Sequence, residues 1–232
     1  MKDLEQRVQL AVASFWSTRS NQSSRQIADP DRGARSAVTG GKQMNGFVSL
    51  VRALLIEAGV PEFCITTDRM VELPGWYRAE KKWDLIVMHE RELLAALEFK
   101  SQIGPSFGNN FNNRTEEALG SATDIWAAYR EGAFRPSPRP FLGYLMLLED
   151  CPRSRSPVRV SEPHFPVFNE FRGASYADRY ALLIEKLVRE RLYDGATFML
   201  SASDGSYSEP HPELTFERLV TPLIAHACSR IS

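Results

Sequence analysis

Two stretches of the chain carry residue types and spacings that suit chemistry on a phosphate. The first is Trp83-Asp84-Leu85-Ile86-Val87-Met88 and the second is Leu97-Glu98-Phe99-Lys100. Between them His89-Glu90-Arg91 separates two apolar runs, the pattern of a β-hairpin. Alternate residues of a strand share a face, so Glu98 and Lys100 project together while Leu97 and Phe99 point into apolar packing. If the hairpin turns about Arg91, Ile86 meets Ala96 and Asp84 stands opposite Glu98. Facing residues lie about 4.5–5.5 Å apart at Cβ, so two carboxylates there can share one divalent cation. Two acids and a lysine on one sheet edge are what metal-dependent phosphodiester hydrolysis needs. The metal offsets carboxylate repulsion, activates a water and stabilises the leaving oxygen, while the lysine offsets charge developing on the phosphate. Short acid-and-lysine patterns also arise on solvated strand faces. Here Leu85–Met88 and Leu93–Leu97 are apolar on both faces, as in inner strands, where a charged pair must be partnered or functional.

The segment after the second strand, Ser101 to Arg114, is rich in Gly and Asn. Residues 101–113 of it are expected to be a loop beside the acid pair. Gln102 continues the face of Glu98 and Lys100, and Asn109, Asn110, Asn112, Asn113 and Arg114 follow. Planar amides can read adenine and a guanidinium can read guanine, so these residues are candidate DNA contacts. A turn-rich loop with no ligand explains the same composition. Within it, Gly104-Pro105-Ser106-Phe107-Gly108 also matches the GxSxG elbow of serine hydrolases, with Asp124 and His164 following in order. The elbow demands an immediate helix, and Gly108 to Asn113 is a poor helix start, which argues against a serine hydrolase. Gly40-Gly41-Lys42 fails as a phosphate loop because Ser36 replaces its first glycine and Gln43 its Ser/Thr.

The elements that must position these groups follow from hydrophobic spacing. A helix is expected over 3–17, a long polar loop over 18–43, and a second helix from Phe47 that stops at Gly59–Pro61. Arg114–Arg130 reads as a helix, Phe141–Leu148 as a buried strand, and 150–166 as loop. A long helix starts at Ser175, with Asp178 placed for a capping box. Thr197–Ser201 reads as a strand and 212–231 as a last helix despite Pro222. Helices alternating with a few strands imply an α/β fold, a mixed central sheet flanked by helices, in one domain over 1–232.

Composition narrows the class further. The 232 residues carry 28 Lys+Arg against 29 Asp+Glu, yet residues 19–52 are basic, so one face can suit a polyanion without a basic chain overall. A solvated arginine-rich surface would give the same tally. No apolar run approaches the ~20 residues of a membrane span. No secretory pattern is visible, and Cys64, Cys151 and Cys228 are too far apart for a frame, so a soluble cytoplasmic protein is expected.

The block LEFKSQIGPSFGNNFNNRTEEALGSATDIW (97–126), with Trp83-Asp84-Leu85-Ile86 before it, resembles the XhoI restriction endonuclease family, within the PD-(D/E)xK nuclease fold. The similarity extends over most of the chain from the helix MNGFVSLVRALLIEAGVP (44–61) onward. It implies a homodimeric type II restriction endonuclease of a bacterial restriction–modification system. It further implies Mg2+-dependent cutting of double-stranded DNA at CTCGAG to leave 5′-phosphates. Asp84 and Glu98 would be metal ligands and Lys100 the catalytic lysine. Glu57 resembles the additional acid that nucleases of this fold supply from an N-terminal helix. Trp83 departs from the motif's proline, which weakens the match more than the mechanism. A non-catalytic DNA-binding protein of the same fold is the remaining alternative, and the intact Asp84, Glu98 and Lys100 argue against it.

Overall fold

A computed structural model of the protein describes residues 3–28 and 42–231, excluding the side chains of 22–28. The first helix, α1 (Leu4–Ala28), runs past its expected end through residues 18–28. No Gly or Pro interrupts that stretch, and Arg and Gln carry little helix penalty, so polarity without periodicity was no sign of a loop. The rest of the expected loop, with Gly40 and Gly41, lies outside the described residues. A 3-10 turn, Lys42–Met44, leads into α2 (Asn45–Glu57).

The strands are β1 (Ile65–Thr67), β2 (Glu72–Pro74), β3 (Glu80–Lys82), β4 (Leu85–His89) and β5 (Glu92–Gln102). After α3 (Phe107–Arg130) come β6 (Phe141–Glu149), the short α4 (Pro152–Arg155), and α5 (Tyr176–Arg189). The chain ends with β7 (Gly195–Ser201), β8 (Tyr207–Ser208) and α6 (Phe216–Cys228). Six strands form one sheet in the order β1-β4-β5-β6-β7-β8, and β2 and β3 form a separate hairpin. β5, β6 and β7 run parallel and the other neighbours antiparallel, so the sheet is mixed as expected. At the start of α5, Ser175 and Asp178 close the expected capping box, each side chain engaging the other's backbone amide.

Strand alternation splits the core in two. Leu85, Val87, Leu97, Phe99 and Leu145 pack under α1, α2 and α6, while Ile86, Ala96, Tyr144, Met146 and Phe198 pack under α3 and α5. The β4–β5 hairpin turns through Glu90 and Arg91, both at positive φ (45° and 71°), as a two-residue turn of this kind requires. Its pairing slips once. Met88 faces Leu93, yet Val87 faces Ala95 and Leu85 faces Leu97, so Leu94 is an extra, unpaired residue of β5. Leu93 lines the α3/α5 core, whereas Leu94 and Ala95 both line the other. This bulge restores the register that puts Asp84 in line with Glu98. Without it Asp84 would fall opposite Leu97, on the wrong face.

Candidate active site

Glu98, Lys100 and Tyr144 come from adjacent parallel strands on the α3/α5 face, with Glu98 directly across from Tyr144 and Lys100 across from Met146. Glu98 is 2% exposed, a charge buried in the sheet. Its Oε1 accepts the Lys100 ammonium at 2.8 Å and the Lys81 ammonium at 2.9 Å. Burial alone would raise the Glu98 carboxyl, but Lys100 and Lys81 together hold it below the usual carboxylate range. Glu98 also keeps Lys100 charged against its burial. Asp84 sits just before β4, and its Oδ2 accepts the Phe99 amide at 2.7 Å, a donor at the open end of the ladder. Burial pushes Asp84 above the usual carboxylate range, only partly offset by that amide and by Lys100. One acid is therefore stabilised as an anion and the other is held under electrostatic strain.

Two buried polar atoms in this site have no hydrogen-bond partner among the described residues: Glu98 Oε2 and the Tyr144 hydroxyl. Burial pushes the Tyr144 phenol well up, so it stays a neutral donor. An unpartnered carboxylate oxygen beside a second carboxylate is a hard-oxygen donor set that fits a magnesium-like cation. Among the described residues no cluster of three or more His, Cys, Asp or Glu gathers to hold a metal. One or two protein carboxylates, completed by water and substrate phosphate, is the usual arrangement for Mg2+.

The restriction endonuclease XhoI family model matches residues 22–209, most of the chain and all of this site. The chain belongs to the XhoI restriction endonuclease family. It is 50% identical to the type II restriction enzyme BstVI of Geobacillus stearothermophilus over 214 residues, 88% of this chain and 96% of that one. It is 42% identical to the type II restriction enzyme XhoI of Xanthomonas vasicola over 219 residues, 90% of this chain and 88% of that one. AbrI of Azospirillum brasilense, another type II restriction enzyme, is 41% identical over 225 residues, 96% of this chain and 94% of that one. No solved structure matches the chain. Among the described residues no helix is long and apolar enough to cross a membrane.

The remaining candidates divide by position. Gln102 shares the strand face of Glu98, but it is buried, accepts the Tyr180 hydroxyl, and donates to the Phe107 carbonyl at 3.1 Å. Both ends of its amide are engaged inside the protein, where Gln102 braces β5 against α3 and α5. The Asn-rich segment is a helix, contrary to expectation: α3 begins at Phe107. Phe107 stacks on Tyr176, and Phe111 packs edge-on to Tyr180, so tertiary anchoring overrides the poor local propensity. Asn109, Asn112 and Asn113 are exposed on its first turns and Asn110 is half-buried. Arg114 pairs with Glu117, and both charges act on Tyr144 in the site.

Glu57 is not brought to the acid pair. Gln43, just before α2, donates to Ser101 at 3.1 Å, which fixes the start of α2 at the Lys100 end of β5. Glu57 ends that helix, about 18 Å further along at 1.5 Å per residue. There it binds Arg7 through both oxygens, at 2.7 and 2.8 Å.

The GxSxG match does meet a strand, turn and helix, but its chemistry is missing. Ser106 has an unstrained backbone (φ −92°), and Asp124 is fully engaged elsewhere. Asp124 accepts the amides of Trp76 and Tyr77, each at 2.8 Å, and the Arg78 guanidinium at 2.7 Å. The close fit needs Gly75, where a Cβ would lie 2.4 Å from Asp124 Oδ2.

Lys81 and Tyr144 are the site residues that sequence reasoning missed. Lys81 gave no signal, because β3 is three residues long and ends before Trp83. Tyr144 gave none either, because its place depends on the parallel register of β5 with β6.

Proposed function

We propose that this protein is a homodimeric, Mg2+-dependent endonuclease of a restriction–modification system. It cuts both strands of the palindrome CTCGAG, leaving 5′-phosphates, on a restriction-endonuclease-like fold. The observation that carries this reading is the buried pair Asp84 and Glu98, with Glu98 Oε2 unpartnered and Lys100 against Oε1.

Asp84 and Glu98 would hold the metal. When bound, the ion supplies a water nucleophile at neutral pH and positive charge for the leaving oxygen. The Phe99 amide fixes the Asp84 carboxylate, so one acid is oriented by the backbone of the strand that bears the other. Lys100, kept cationic by Glu98, is placed to meet the charge that grows on the attacked phosphate, an interaction stronger in the transition state than in the ground state. Tyr144 closes the floor beneath Glu98 with a neutral hydroxyl.

The exposed amides of Asn109, Asn112 and Asn113, with Asn110 and Arg114 behind them, supply candidate contacts to bases and phosphates. They lie at the N-terminal end of α3, where helix amides and dipole favour an anion. A two-fold symmetric dimer matches a palindromic site, one active site to each strand.

The test is digestion of a supercoiled plasmid bearing one CTCGAG, with mapping of the cut ends. Linear product with 5′-phosphate ends at that sequence, lost in chelator and in Asp84→Asn, is the expected result. Full cutting by Asp84→Asn or in excess chelator would overturn the assignment of the site. Cutting elsewhere would overturn the specificity.

A further inference from the structure

Lys81 lies outside the acid–acid–lysine pattern, yet its ammonium is 2.9 Å from Glu98 Oε1, the oxygen that Lys100 also meets at 2.8 Å. It is not a surface lysine that wanders in. Its side chain is 13% exposed, and its Nζ lies 4.4 Å above the ring of Trp83. Trp83 is itself buried, and its amide is bonded to Val71 at 3.0 Å, so the seat beneath Lys81 is rigid. A cation over an indole face in a desolvated place is held by the ring quadrupole as well as by its ion pair. Tryptophan at the position where the fold's motif carries proline thus has a physical purpose here.

Two carboxyl groups, Asp84 and Glu98, stand against two lysine side chains, Lys81 and Lys100. A divalent cation that approaches Glu98 meets two ammoniums already on that carboxylate. A DNA phosphate brings the anion that can draw an ammonium away. We propose that Lys81 is a positioning residue that occupies Glu98 until DNA arrives, suppressing divalent-cation binding in the free protein and coupling metal loading to substrate. This rests on the reading that Asp84 and Glu98 hold the metal.

The experiment is Mn2+ titration of the full-length, DNA-free protein, followed by electron paramagnetic resonance of the free ion. Lys81→Met should bind Mn2+ at least about tenfold more tightly than the unaltered protein, because one unit of opposing charge at contact distance is gone. Lys81→Gln, which keeps a hydrogen-bond donor without the charge, should behave like Lys81→Met, and it serves if the methionine variant folds poorly. Lys81→Arg should bind within about twofold of the unaltered protein, because it keeps the charge. Equal or weaker binding by both neutral variants, tightening by Lys81→Arg, or no Mn2+ binding by any variant would overturn the role of Lys81. Adding Asp84→Asn and Glu98→Gln to Lys81→Met separates the two levels. If Mn2+ binding survives that triple substitution, the ion sits elsewhere and the metal reading itself fails. If it is lost while Lys81→Met alone gives no tightening, only the role of Lys81 fails.

Discussion

Asp84 accepts the amide hydrogen of Phe99, the residue between Glu98 and Lys100. Three successive residues of β5 therefore contribute an acid side chain, a backbone donor to the opposing acid, and the lysine. Their relative positions are fixed by covalent geometry and do not depend on side-chain packing alone.

The two acids should respond to pH in opposite senses. Asp84 is raised by burial, so its stabilising contribution is complete below the ordinary carboxylate range and is lost as pH rises through its folded value. Metal-free protein at pH 8 should therefore gain stability from Asp84→Asn, whose amide oxygen can still accept from Phe99. For a chain of this size each 1 kcal/mol appears as roughly 2–4 °C in melting temperature. Melting curves in chelator should show the advantage at pH 8 shrinking toward pH 4, and an advantage that grows on acidification would contradict it.

Glu98 runs the other way. Burial opposes its charge, but Lys100 and Lys81 win, so its contribution is present above the ordinary carboxylate range and fades as pH falls through its lowered value. Glu98→Ala leaves two largely buried ammoniums without their anion and should cost about 3–5 kcal/mol. Urea unfolding at pH 8 measures this, and a loss below 1 kcal/mol would mean the lysines find water instead.

Asp124 ties α3 to the tip of the β2–β3 hairpin, where Trp76 and Tyr77 stand exposed. Asp124→Ala strands two amides and Arg78, with an expected cost of roughly 2–4 kcal/mol at ~1.5–3 per bond to a charged group, less what water recovers. Amide exchange at Trp76 and Tyr77 should accelerate well beyond that of β6.

Ser106 is exposed, and its side chain makes no cap bond to the helix it precedes. Ser106→Ala should leave DNA cleavage within about twofold and stability within about 0.5 kcal/mol, as for an ordinary surface change. Loss of cleavage would reopen the serine chemistry.

Asn112→Ala or Asn113→Ala should weaken binding to the specific site by roughly 1–3 kcal/mol for each bidentate base contact removed. Binding to unrelated duplex, governed by phosphate charge and salt, should hardly change. Gel-shift titrations in Ca2+ on both duplexes would decide it; equal weakening on both would make these residues phosphate contacts.

Much of this was legible before the structure. Alternating and continuous apolar runs located β4, β5, β6, α2 and α5, and strand parity placed Glu98 and Lys100 on one face, as their 2.8 Å contact shows. The family resemblance was equally plain in residues 97–126. What escaped was set by tertiary contacts. The helical state of Asn109–Asn113 depends on Phe107 and Phe111 finding Tyr176 and Tyr180, partners some seventy residues away. The ends of α2 could not be assigned to the ends of β5 by periodicity, so Glu57 looked as available as any helix acid. The short strands β1, β2 and β3, three residues each, fall below the length at which alternation speaks.

The extra residue at Leu94 gives the hairpin an arithmetic of its own. Thirteen residues lie between Asp84 and Glu98, two of them in the turn and one in the bulge. Delete Leu94 from the ladder with the turn unchanged, and every side chain of β4 before the bulge exchanges faces relative to β5; Asp84 would then look into the core beneath α2. Change the length by two, or trade the bulge for a longer turn, and the acids stay matched. Glu90 and Arg91 are exposed, at the far end of the hairpin from Asp84 and Glu98. Drift in their identity should be tolerated, and an added turn residue can be absorbed as loop, whereas loss of Leu94 would take Asp84 off the face of Glu98.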